Sequence, residues 1–218
     1  MEEDTSMALG FLDRWMGIKL DDSLIPTLQE MFKDSGLPNA LLFNRITNLM
    51  ERDGIEVQVV RDSSYADIAS TAGNTKPMKL KINPCRLMAS LIPEGSIHRH
   101  EKLLRIVTHE LVHEITSKVV SFGTFVMGTP DAYHYREGER TFIKQVVELY
   151  DAARQYLEKA DDENNWYGLV NKSEFVAESL SNPDFQKLLS RIPYQSEEDT
   201  VLGELFSSIA AEDSRATI

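Results

Sequence analysis

The chain has 218 residues, 42% of them apolar and 27% charged, and its 35 acidic against 23 basic side chains give a formal net charge of −12. A chain of this length buries a core without staples, and its charge disfavours nucleic acid and anionic membrane as partners. Cys85 is the only cysteine, which excludes an internal disulfide and suits a reducing compartment. The acidic start MEEDTSMALGFL is unlike the basic start of a secretion signal, and no apolar run is as long as a bilayer span. A cytoplasmic location, or delivery by something other than a cleaved signal, is expected, with no membrane partner.

Residues 5–52 read as helices, with Phe11, Leu12, Trp15 and Met16, then Leu24, Leu28, Met31 and Phe32, then Leu41, Leu42, Ile46 and Leu49 at helical spacing. Breaks fall at SGLPN and at Asp53-Gly54. IEVQVV (55–60) alternates like a strand, and MKLKIN (78–83) does so with lysines on its outer face, the pattern of an exposed edge strand. The stretch between them, 61–77, reads as a turn-rich connection. From Glu101 to Val120 the pattern is helical, with Leu104, Val107, Leu111, Ile115 and Val119 on one stripe. Residues 121–138 read as a loop, Arg140–Lys159 as a long helix, and a further helix runs from near Asn171 towards Asn182-Pro183. The order of helices, small sheet and helices predicts an α+β domain.

The segment THELVHEIT (108–116) carries the chemistry. Residues four apart share a helix face, so His109 and His113 can present two imidazole nitrogens to one zinc ion, with Glu110 beside them to take a proton from water. Such a site needs a third protein ligand. Downstream, SEFVAES places Glu174 and Glu178 four apart, separated by the apolar Phe175, Val176 and Ala177. One of these acids can ligate the metal while the other accepts a ring N–H from a histidine ligand. Asn171 and Glu174 also fit a capping box, a structural use for the same glutamate.

WYGLVNKSEFVAESLSNPDFQ resembles the second half of the active site in gluzincin peptidases of the anthrax lethal factor type. It is also similar to zincin domains of large phage and mobile-element proteins, where an EFVAE…NP.FQ signature follows HELxH. Tyr167-Gly168 precedes Glu174 by seven residues, the interval found in lethal-factor-like enzymes. The resemblance covers roughly residues 100–190 and implies a zincin-like metallopeptidase domain with one Zn2+ per chain. By position it makes His109, His113 and Glu174 ligands, Glu110 the general base, Glu178 the partner of a histidine ligand, and Tyr167 the donor to the oxyanion. Tyr133, His134 and Tyr135 are rival oxyanion or substrate contacts.

Substrate peptides in clefts of this class add as an antiparallel strand, so Lys79, Leu80, Lys81 and Ile82 are the expected substrate strand. Glu114 reads as a solvated charge, His98 and His100 as a surface pair in a loop, Trp166 as a packing residue or pocket wall and Cys85 as a small buried apolar group. The expected division is a helical region packed on the core (1–54), the zincin-like domain (55–194) and an acidic tail with a loose end (195–218). The function so read is zinc-dependent endopeptidase action on a peptide or protein substrate. The alternative is a non-catalytic or narrowly specific zincin-fold accessory protein of a phage or mobile element.

Overall fold

The computed structural model describes residues 2–72, 77–117, 120, 137–159, 166–194 and 196–201. The chain divides into two compact units, Met1–Glu114 and Ile115–Ile218, and is α+β in class.

The first unit opens with α1 (Glu2–Met16), α2 (Leu24–Phe32) and α3 (Pro38–Arg52). Their buried faces carry Ala8, Leu12, Leu24, Leu28, Phe43 and Ile46, whereas Trp15 and Leu41 are exposed. Strands β1 (Val57–Arg61), β2 (Ala69–Ala72) and β3 (Met78–Ile82) follow. The spatial order is β1-β3-β2, with β3 parallel to β1 and antiparallel to β2.

This order corrects the expected edge strand. Leu80 pairs with Val59 on one side and Thr71 on the other, so Lys79, Leu80, Lys81 and Ile82 lie in the central strand and cannot receive a substrate strand. Met78, Leu80 and Ile82 are buried while Lys79 is exposed. Alternation reports an open face, perpendicular to the sheet, and carries no information about an edge in its plane. β2 arises within the stretch expected to be only a connection.

Main-chain direction identifies the edges. Asn83 N donates to Ile68 O, so on β2 the residues in step with Ile68 face β3, and Ala69 and Thr71 turn their N–H and C=O groups outward. Met78 N donates to Glu56 O and Asp62 N to Ile82 O, which by the same logic turns Val57, Val59 and Arg61 away from β3. Asp22 Oδ1 accepts from Val59 N at 3.1 Å, closing part of that edge.

Asn83 is buried and ends the sheet. Its Oδ1 caps α4 (Pro84–Leu91) by accepting from Cys85 N and Arg86 N. Its Nδ2 donates to Ser63 O and Tyr65 O. Helix α5 (Ser96–Ser117) starts five residues ahead of its expected start, so His98 and His100 are helical. His98 Nδ1 lies 3.5 Å from Glu101, and His100 Nε2 lies 3.0 Å from Met16 O. Lys102 Nζ donates to Ser90 O and Glu94 Oε1, and this hydrogen bond, together with the lysine's charge, lowers the Glu94 pKa.

The second unit contains α6 (Glu137–Lys159), a 3-10 turn (Tyr167–Leu169), α7 (Lys172–Ser181), α8 (Pro183–Leu189) and the short pair β4 (Pro193–Tyr194) and β5 (Ser196–Thr200). The first residues of the expected tail are therefore a strand, and residues 202–218 lie outside the described set. No helix among the described residues is long and apolar enough to cross a membrane.

Asn83→Ala removes two cap acceptor contacts and leaves two carbonyls without their donor. It is expected to cost about 2–4 kcal/mol in chemical denaturation. Asn83→Asp keeps the cap alone and is expected to recover only part of that loss.

Candidate metal centre

The stripe that buries α5 consists of Leu104, Val107, Thr108, Leu111 and Val112, all at most 1% exposed. Thr108 hides its hydroxyl by donating to Leu104 O at 2.7 Å. His109, Glu110 and His113 stand on the flank of that stripe and are half-buried. His109 and His113 Nε2 lie 3.0 Å apart, with the rings edge-on at an interplanar angle of 79°. Tetrahedral zinc with nitrogen ligands at about 2.0–2.1 Å separates them by about 3.3 Å, so the pair fits a shared ion with a small adjustment. Thr71 Oγ1 donates to Glu110 O at 3.4 Å, linking β2 to the turn of α5 that carries the motif. Neither Thr71 nor its strand is apparent in the sequence, where STA lacks the bulky alternation that marks a strand.

In the second unit, Asn171 caps α7 by accepting from Glu174 N at 2.9 Å. The cap uses the main-chain N–H of Glu174 and leaves its carboxylate to other work. Phe175, Val176 and Ala177 are fully buried, and Glu174 and Glu178 are half-buried on the other side of the helix. Asn182 Nδ2 donates to Glu178 Oε2 at 2.5 Å, while its Oδ1 accepts from Asp184 N. The second contact fixes which end of the amide faces Glu178. Asn182 therefore orients this carboxylate, a role signalled in the sequence only by its four-residue spacing from Glu178.

The 3-10 turn presents Tyr167 with 56% of its surface exposed. Tyr150 holds the turn by donating from its hydroxyl to Leu169 O at 2.8 Å. Trp166 packs at 6.0 Å from Phe185, in agreement with a packing role. A Cβ on Gly168 would fall 2.5 Å from Phe185 Cε1 and 3.0 Å from Glu178 Cβ. The glycine of the Tyr-Gly pair is thus a steric requirement of the turn beneath Tyr167.

Tyr133, His134 and Tyr135 lie outside the described residues. Glu114 is half-buried and its Oε2 is shielded from solvent, which corrects its reading as a solvated charge. Cys85 is half-buried with Sγ 3.9 Å from Thr5 Oγ1. Compared with known proteins, the chain matches no family model, no curated sequence and no solved structure.

Gly168→Ala forces the turn against a buried ring and is expected to destabilise the protein by about 1–3 kcal/mol in a denaturant titration. Adding Phe185→Leu vacates the clash, and the pair is expected to be less destabilising than the sum of the two single changes.

Proposed function

We propose that this protein is a zinc-dependent endopeptidase with a zincin-like fold, one ion per chain being held by His109, His113 and Glu174. The observation that supports this most strongly is the 3.0 Å approach of His109 and His113 Nε2 on the flank of α5. The order HELVH, then Tyr167-Gly168, then EFVAE adds the resemblance to lethal-factor-type gluzincins. When bound, zinc supplies a Lewis acid that polarises a carbonyl and lowers the pKa of water towards neutrality.

The chain's own groups do the rest. Glu110 takes the proton of the attacking water and delivers it to the departing nitrogen. Tyr167 donates a hydrogen bond to the oxyanion, a task suited to a phenol that stays protonated at neutral pH. Glu178, steadied by Asn182, accepts the ring N–H of a histidine ligand and fixes its tautomer.

Substrate binding moves from β3 to β2. Ala69 and Thr71 turn their main-chain groups outward, and among the described residues no strand pairs with them. Strand addition there places a peptide next to the motif-bearing turn of α5, which Thr71 itself contacts.

Purified protein is expected to contain one zinc, with zinc lost or weakened in Glu174→Ala. Glu110→Gln should keep the metal and lower casein or mixed-peptide cleavage by about 10²–10⁴-fold. Absence of zinc after reconstitution overturns the reading, whereas zinc without cleavage shifts it to a binding role or a narrow substrate.

Thr71→Pro removes one outward N–H without breaking the β2–β3 ladder. It should raise KM for peptide cleavage, while Thr71→Val, which keeps that N–H, should change KM far less. Equal effects of the two variants would remove β2 from substrate binding.

A further inference from the structure

A groove of about 620 Å³ lies in the first unit between α2, α3 and the start of β1. It borders β1, on the opposite side of the sheet from β2, so it is separate from the substrate edge assigned above. Its apolar lining includes Ile25, Met50 and Ile55, the last 38% exposed. Among the described residues its charged lining consists of Asp22, Glu51 and Glu56, with no lysine or arginine. Val57 also lines it, with its main-chain N–H and C=O turned away from β3 and no hydrogen-bond partner for them among the described residues.

These features select the chemistry of an occupant. An outward strand residue offers a paired donor and acceptor, which a polypeptide backbone matches and a phosphodiester does not. Three carboxylates, with no basic residue among the described lining, repel phosphate and attract ammonium or guanidinium groups. The apolar lining accepts one aliphatic side chain between those charges. Asp22 already occupies Val59 N–H, so main-chain pairing is confined to Val57 and the contact is short.

We propose that this groove docks an extended protein segment in which lysine or arginine residues flank an aliphatic one. It provides a second anchorage for a protein partner, independent of the metal centre.

The test uses the full chain carrying Glu110→Gln, so that the probe is not consumed, and fluorescein-labelled Arg-Leu-Arg-Leu-Arg followed by fluorescence polarisation. Binding is expected to saturate, and Glu-Leu-Glu-Leu-Glu is expected not to bind. Glu51→Lys with Glu56→Lys, both exposed positions, should weaken binding by about tenfold or more. Asp151→Lys with Glu158→Lys makes the same change of net charge on exposed positions of α6 and should alter binding by less than about twofold. Titration of ¹⁵N-labelled protein should shift the Val57 amide. Equal loss in the two charge-reversed proteins, absence of saturation, or an unmoved Val57 amide would each overturn the proposal.

Discussion

Two imidazole nitrogens 3.0 Å apart, as His109 and His113 Nε2 are, have room between them for one proton or one cation, and two imidazolium charges at that separation repel. The site is organised around that condition. The rings stand there because Leu104, Val107, Leu111 and Val112 fix the rotation of α5 about its axis. Contacts upstream on the same helix, from His100 to Met16 O and from Lys102 to Ser90 O, limit its slide along the axis. A helix held in both respects presents the two imidazoles without first having to order them, which would lower the entropic cost of binding an ion there.

The second unit solves a different problem, that of holding two carboxylates on one side of a short helix, Glu174 in its first turn and Glu178 four residues on. Asn171 satisfies the main-chain donor of Glu174, and Asn182 restrains Glu178, so both acids sit beside amide side chains rather than in open water. Beneath them Phe175 and Phe185 meet edge-to-face at 6.0 Å, and Gly168 fits the 3-10 turn against that pair. The constraint on Tyr167 is therefore steric and comes from the residue after it.

What the sequence disclosed follows the same physical line. Helical periodicity over long stretches locates α1, α2, α3, α5 and α6, and the four-residue spacings place His109 with His113, and Glu174 with Glu178, on shared helix faces. Short elements escape it. Asn83-Pro84 and Asn182-Pro183 look like breaks, yet each is a helix start, with asparagine as cap and proline in the first turn, and they open α4 and α8. Strand β2 is four residues of ASTA, too small and polar to show a buried alternation. The lysines of β3 disclose its open face correctly but are silent about its neighbours, because edge position depends on pairing with distant segments. Asn182 and Thr71 act through contacts that only the folded chain creates.

The three-stranded sheet also has to remain single while offering its edges. Exposed strand edges invite pairing with other chains, and short length or side-chain obstruction limits the risk. Here β2 has four residues and, among the described residues, turns just Ala69 and Thr71 outward, while Asp22 takes the Val59 N–H on the other edge. Lys79 and Lys81 add positive charge to one face of the sheet, which disfavours stacking against an identical copy. An edge with two outward residues can hold an extended peptide by a few hydrogen bonds and release it, but is too short to template a stable intermolecular sheet. The brevity that hides β2 in the sequence is thus the property that would keep pairing at this edge transient.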